Sequence, residues 1–304
     1  MSLKELSKKM ERLSPGHRLC AGCVAPTIIR MMTHAIEEPI VVGCATGCVE
    51  VSTTIYPYTA WRVPWIHNAF ENVAATISGV ESCYKKFKKD GRIKEEIRFV
   101  ALGGDGGTYD IGIQSLSGAL ERGHRFLYIC YDNEAYMNTG IQRSSATPMG
   151  ASTTTTPAGE VIPGKKEYRK DLTAIVAAHN IPYVAQASPS HWSDLMRKTK
   201  RAVDADGPSF INVLSPCPRG WRYPTEEGIE MARLAVETCY WPLYEVFDGE
   251  YKVNFKPREK KPILEWLKRQ GRFRHLMTPA NEHIITGLQE KIDKDWEKLL
   301  AMSK

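Results

Sequence analysis

A chain of 304 residues, 42% hydrophobic and 25% charged, has enough apolar surface for a full α/β core and no compositional sign of disorder. Its net charge of +6 is local: from Lys252 to His275 nine Lys/Arg stand against two Glu, a surplus of +7 that leaves the remainder near −1, which argues against a nucleic-acid surface. No apolar run reaches the ~18 residues of a membrane span, and the opening MSLKELSKKMERLSPGHRL is too charged for a secretory signal, so a cytoplasmic chain with reduced thiols is expected, with no membrane among its partners.

In chain order, β-rich apolar runs alternate with helical periodicity, the pattern of a mainly parallel sheet with helices on both faces. Strands are predicted from Ile40 to Gly43, Ile97 to Leu102, Phe126 to Tyr131, Tyr183 to Ala187 and Phe210 to Leu214. Helical spacing runs from Asn68 to Lys88, Asp110 to Glu121, Lys170 to His179 and His191 to Asp204. The Gly/Pro/Ser/Thr-rich stretch from Asn138 to Lys166 has no apolar period and reads as a long functional loop. Beyond Trp241, two short β-like runs flank Asp248-Gly249 as a hairpin, and Thr278-Pro279 opens a last amphipathic helix to Leu300. The expected division is an α/β domain over residues 1–242 and a C-terminal appendage over 243–304, made of hairpin, basic arm and helix.

The run FVALGGDGGTYDIG places glycines where a buried strand gives way to a helix, the position at which open α/β sheets collect ligands. Glycines at 104, 106 and 107 let backbone N–H groups approach phosphate oxygens, and Asp105 among them would repel a phosphate unless a cation lay between. The next strand ends at Asp132-Asn133, 26 residues beyond Gly106. Mg²⁺ takes six oxygens, and this spacing resembles the GDG…N signature of thiamine diphosphate enzymes. That resemblance assigns the metal to the Asp105 carboxylate, the Asn133 side-chain oxygen and the Ala135 carbonyl.

The eight cysteines have no need of disulfides in a reducing compartment. Cys83, Cys130 and Cys239 are expected in the core. Cys20 and Cys23 form a C-x₂-C loop, while Cys44, Cys48 and Cys217 follow predicted strands and so lie at the diphosphate edge. Spacing alone leaves tetrahedral zinc and a four-cysteine [4Fe–4S] cluster equally open.

HRLCAGC, ATGCVEV, VPWIHNAFEN, GGDGGTYDIG, DNEAYMNTGIQRSSATPMGA and SPCPRGW, in that order, resemble the β subunits of pyruvate:ferredoxin oxidoreductase and its branched-chain 2-oxoacid relatives, from about His17 to Arg274. The resemblance implies the diphosphate-type domain of a thiamine diphosphate-binding fold. It implies one [4Fe–4S] cluster on Cys20, Cys23, Cys48 and Cys217, with Cys48 also touching the cofactor and Cys44 left as a buried thiol. It implies oxidative decarboxylation of pyruvate or a close 2-oxoacid, with coenzyme A taking the acyl group and electrons leaving through the cluster to ferredoxin. Asn138 is the candidate for substrate contact; His67 reads as a core or helix-start histidine, and Glu71 has no firm role. Where some relatives carry a glutamate two residues after the second cysteine, this chain has Ala25. An α subunit must supply the pyrimidine-side glutamate, γ and ferredoxin-like δ subunits the further clusters, and the basic arm reads as an assembly arm. A non-oxidative decarboxylase subunit and a zinc-stabilised binding protein are the other classes considered, and pyruvate, 2-oxoisovalerate and oxalate all remain as substrates.

Overall fold

One sheet organises the computed structural model, which describes residues 3–303. Its strands are β1 (Ile40–Ala45), β2 (Trp65–Asn68), β3 (Arg98–Gly104), β4 (Leu127–Asp132), β5 (Tyr183–Ala187), β6 (Ser209–Leu214), β7 (Tyr244–Phe247) and β8 (Glu250–Val253), in the order β2-β1-β3-β4-β6-β5-β7-β8. The pairings from β2 through β5 are parallel, and β7 and β8 add to β5 antiparallel. Every residue of β4, β5 and β6 is buried, which is why these strands read as unbroken apolar runs rather than alternating ones.

Successive strand residues feed opposite layers. Val100, Leu102, Ile129 and Ile211 pack with Ile28 and Met32 of the helix Ala25–Ala35 and Leu195 of the helix Trp192–Asp204. Phe99, Ala101, Tyr128 and Phe210 pack on the other side with Ile77 of the helix Val73–Lys89 and Leu116 of the helix Ile113–Glu121. The mainly parallel sheet covered on both faces is therefore the observed architecture. Among the described residues no helix is long and apolar enough to cross a membrane.

Three local expectations need correction. The helix expected from Asn68 begins at Val73, and the residues before it include the edge strand β2, which is short, only partly buried and paired on one side. His67 lies in that strand, exposed, with Nδ1 3.2 Å from Glu50, so it is neither a core nor a helix-start residue. Cys83 is exposed: the inner face of its helix is made by Val73, Ala74, Ile77, Ser78 and Glu81. Cys44, Cys130 and Cys239 are buried as expected.

The C-terminal appendage begins inside the sheet. Asp248 and Gly249 both have positive φ (46° and 82°), the geometry a two-residue hairpin turn demands. Farther on, Trp221, Trp241, Trp266 and Phe273 form a third core with Met231, closed by Leu288 and Ile292 of the last helix, Glu282–Met302. The basic arm folds back over this core and is not a solvated tail: Lys260 pairs with Asp293, Lys261 with Glu237, Arg269 with Glu227 and Arg272 with Glu134. A count of charge along the chain misses these pairs because the acids lie in distant segments.

Glu245 of β7 ties the hairpin to the α/β layer, accepting hydrogen bonds from the Tyr183 hydroxyl (2.7 Å), the Arg201 guanidinium and the Asn254 amide (3.0 Å). Burial raises its pKa, but these bonds outweigh burial and hold it below the usual carboxylate value. A depressed carboxylate contributes stability that is present above its unfolded pKa of ~4.3 and lost as pH falls through the lower folded value. Glu245→Gln should therefore lower stability at neutral pH and flatten the acid limb below about pH 4.3, read by urea denaturation across pH; an unchanged acid limb would refute the assignment.

Candidate functional site

Four adjacent parallel strands, β1, β3, β4 and β6, end on one edge of the sheet. Cys48 follows β1, Asp105 follows β3, Asn133 follows β4 and Cys217 follows β6. Parallel pairing thus brings together residues that the sequence holds far apart. Gly104 pairs in register with Tyr131, and the chain turns at Asp105 into a widened, π-type helical turn over Gly106–Ile111. A Cβ on Gly106 would lie 2.3 Å from the Tyr136 ring, and one on Gly107 would lie 2.8 Å from the Phe70 carbonyl. Both glycines are therefore dictated by close packing as well as by any ligand. The Tyr136 hydroxyl donates to the Gly106 carbonyl at 2.8 Å and clamps the turn.

Asp105 is buried, accepting from the Asn133 backbone N–H (3.2 Å) and the Ser144 hydroxyl (2.5 Å). Burial, and then the nearby Asp132, push its pKa well above the ordinary carboxylate range. Among the described residues it has no ion-pair partner, so its charge needs a proton or a cation. The Asn133 side chain faces the same point. With its nitrogen inward, the amide donates to Asp105 Oδ1 at 2.9 Å and to the Ala135 carbonyl at 2.8 Å. With its oxygen inward, three oxygens meet at those separations with no hydrogen between them, and adjacent oxygens around an octahedral Mg²⁺ at ~2.1 Å stand ~3.0 Å apart. The donor set fits that ion.

Behind this turn lies a charge lattice that sequence reasoning missed. The run Asp132-Asn133-Glu134-Ala135 alternates: Asn133 and Ala135 present oxygens to the site, while the Asp132 and Glu134 carboxylates are fully buried on the other side. Arg169 bridges both, at 2.6 Å from Asp132 and 2.9 Å from Glu134, and Arg272 closes on the second oxygen of Glu134. Tyr109 donates to Asp132 at 2.6 Å, and Tyr240 donates to Glu134. Arg169 stacks over Trp241 at 4.7 Å and Arg272 over Trp221 at 4.2 Å. Glu134 has φ +69°, a strained value for a non-glycine residue, held by these bonds. The available signal was the pair of acids flanking Asn133, which demands cations once the strand end is buried.

The thiols of Cys20, Cys23, Cys48 and Cys217 form a second group on the same edge. Burial, followed by the proximity of Cys217, Cys23 and Cys20, raises Cys48 to about 12, and burial together with Cys217 and Cys20 raises Cys23 to about 12. Cys217 is also raised, by burial first, and accepts from the Gly220 N–H at 3.4 Å. Cys44 is outside the group, buried with Glu50 as its charged neighbour. Among the described residues no three His, Cys, Asp or Glu side chains come close enough to share one metal ion. Asn138, exposed at the head of the long loop, faces the Cys48 thiol. It shares one cleft with Gly47, Phe70, Gly104 and Asp105. Glu71 sits half-buried before the helix Val73–Lys89.

Residues 42–213 match the model of the thiamine pyrophosphate enzyme, C-terminal TPP binding domain. Pyruvate synthase subunit PorB of Thermotoga maritima is 55% identical to this chain, with 99% of this chain and 95% of that one covered. The PorB subunit of Methanocaldococcus jannaschii is also 55% identical, over 92% and 95%. Ketoisovalerate oxidoreductase subunit VorB of Pyrococcus abyssi is 45% identical, over 97% and 94%. Among solved structures, a chain of 2-oxoglutarate:ferredoxin oxidoreductase from Magnetococcus marinus superposes with a TM-score of 0.57 at 19% identity, covering 74% of this chain and 81% of that one, a likeness of fold.

The lattice makes Arg272 unlike the rest of the basic arm. Arg272→Ala should cost about 3–5 kcal/mol, because it strips a buried carboxylate of a partner. Arg258→Ala, at an exposed position of the same arm, should stay within about 0.5 kcal/mol. Denaturant midpoints of the two variants would separate these outcomes, and equal losses would show that Arg272 has no special place.

Proposed function

The chain belongs to the thiamine pyrophosphate enzyme family and, within it, to the PorB-type subunits of pyruvate synthase, and from that membership we propose that it is the cofactor-bearing β subunit of a coenzyme A-dependent 2-oxoacid:ferredoxin oxidoreductase acting on pyruvate. The observation that carries the reading is the meeting of the Asp105 carboxylate, the Asn133 amide and the Ala135 carbonyl at the ends of β3 and β4. These three would hold Mg²⁺, with Gly104, Gly106 and Gly107 lining the diphosphate. Bound thiamine diphosphate supplies the carbanion chemistry that decarboxylates a 2-oxoacid. The chain's own part is positional: Ser144 and the Asn133 N–H orient Asp105, the Asp132/Glu134 lattice fixes the turn, and Phe70 and Tyr136, 5.9 Å apart, cover it. Asn138 would contact substrate from the loop that faces Cys48.

Cys20, Cys23, Cys48 and Cys217 would hold one [4Fe–4S] cluster. The four thiols influence one another while Cys44 stands apart, which supports these four as one set. Zinc has no redox chemistry, so a subunit that passes electrons to ferredoxin calls for the cluster. The raised thiol pKa values mean that protons leave as the metal binds. The eight cysteines are all free, which suits a cytoplasmic setting. An α subunit carrying the pyrimidine side, γ and ferredoxin-like δ subunits, and ferredoxin itself complete the scheme. The 45% identity to a ketoisovalerate subunit makes 2-oxoisovalerate the substrate to test beside pyruvate.

Turnover of the purified complex on pyruvate, 2-oxoisovalerate and oxalate, with ferredoxin reduction as the readout, tests the reading. Decarboxylation without electron transfer to ferredoxin would overturn it. Asp105→Ala should weaken magnesium-dependent thiamine diphosphate binding by more than about 100-fold, since removal of even an outer partner of a metal ligand costs ~10–100-fold. Calorimetry on the assembled variant measures this, and unchanged affinity would remove Asp105 from the site. Cys48→Ser should lose the iron signal or its reduction, while Cys44→Ser should leave both in place. Iron quantitation and electron paramagnetic resonance decide between them, and the reverse pattern would reassign the third ligand.

A further inference from the structure

Tyr131 lies on β4, its ring packed among Val42, Val49, Leu102 and Ile129. Its hydroxyl is buried, the residue being 1% exposed, and its proton has no acceptor among the described residues. Other tyrosine hydroxyls are served: those of buried Tyr109 by Asp132, Tyr128 by Thr108 and Tyr183 by Glu245, and that of half-buried Tyr240 by Glu134. The Val49 amide lies on the acceptor side of the Tyr131 oxygen and leaves its proton without an acceptor. A second buried tyrosine hydroxyl without a partner, that of Tyr223, stands beside Cys23 and Cys217. The two orphaned phenols thus flank the two proposed cofactor positions.

The space in front of Tyr131 is kept open by glycine. A Cβ on Gly47 would stand 2.7 Å from the Tyr131 oxygen, and one on Gly104 would stand 3.4 Å from it. The hydroxyl therefore points between the turn that carries Cys48 and the turn that carries Asp105, and it lines the same cleft as Gly104, Asp105, Asn133 and Asn138. A hydroxyl buried without an acceptor is costly unless an incoming group takes its proton. An anionic oxygen is the strongest acceptor that could enter a cleft of this shape.

We infer that the Tyr131 hydroxyl is a hydrogen-bond donor to the diphosphate of the cofactor, a positioning contact supplied by the strand itself and not by the glycine turn. The inference rests on the thiamine diphosphate reading of the site. It makes an unusual demand: removing the hydroxyl deletes a buried proton that lacks an acceptor, which offsets the loss of the Val49 amide's contact, so Tyr131→Phe should leave the protein without cofactor about as stable as before while weakening the cofactor. A purely structural hydroxyl gives the opposite signs.

The test uses the assembled complex, wild type and Tyr131→Phe. Thiamine diphosphate is titrated by calorimetry at fixed Mg²⁺, melting temperatures are taken with and without the cofactor, and the reduction potential of the iron–sulfur signal is recorded. The expected result is a dissociation constant raised about ten-fold, a smaller cofactor-induced rise in melting temperature, and no loss of stability without cofactor. Unchanged affinity would overturn the inference, as would a shifted cluster potential at unchanged affinity, which would hand the donor to the Cys48 thiolate. If the wild-type complex itself fails to bind thiamine diphosphate, the site reading and this contact fall together, whereas failure of the variant alone to differ removes only the contact.

Discussion

The buried carboxylate of Glu134 sets the arrangement on which the ligand-facing edge depends. No water reaches it, so two guanidiniums must, one from Arg169 after the long loop and one from Arg272 in the C-terminal arm. Replacing such a lattice with apolar groups is often neutral, whereas breaking one partner is not, so its worth lies in specifying geometry more than in adding stability. Here the specification is directional. With Glu134 in a left-handed conformation and the Trp221 indole donating to the Asn133 carbonyl at 2.8 Å, the turn is left with the Asn133 amide and the Ala135 carbonyl to present outward.

Two acids at neighbouring strand ends, Asp132 closing β4 and Asp105 following β3, differ in what surrounds them. Asp132 has Arg169 and Tyr109, and so is balanced from within the chain. Asp105, close enough to Asp132 to be disturbed by it, receives only a hydroxyl and an amide. Neutral donors do not offset a buried charge beside a like charge. The imbalance at Asp105, more than its place in a glycine turn, is what makes the edge suited to a divalent cation bridging to an anionic ligand.

What could be read beforehand follows from the range of each interaction. Strand and helix periodicities are local, so the parallel core and the turns after β3 and β4 were legible, and the spacing from Gly106 to Asn133 carried the paired turn. The edge strand β2 was not, because four partly exposed residues paired on one side leave no apolar signature. Cys83 sits in a good helical pattern but on its solvent side, a phase error that one residue's chemistry does not correct. The internal ion pairs of the basic arm were not legible either. Arg272 is 138 positions from the carboxylate it neutralises, and no local pattern reveals a pair of that span. A positive surplus in a segment directs attention to partners outside the chain, yet charge is balanced in space and not along the chain.

The two groups of candidate ligands share one scaffold. β1 and β6, which lead to Cys48 and Cys217, flank β3 and β4, which lead to Asp105 and Asn133. Their separations are therefore fixed by inter-strand spacings of ~4.8 Å and by hydrogen-bonded register, not by loop conformation. Only the C-x₂-C loop must be brought in, and it is held from two sides. A Cβ on Gly22 would collide with the Thr225 carbonyl at 2.3 Å, and one on Gly228 with the Val24 side chain at 2.7 Å. The loop is thus pressed against the segment that follows Cys217, with glycine the residue that permits the approach at φ +74°. For the two centres proposed at these ligand groups, a sheet edge with one tightly packed loop would keep the distance between them constant without asking either to move.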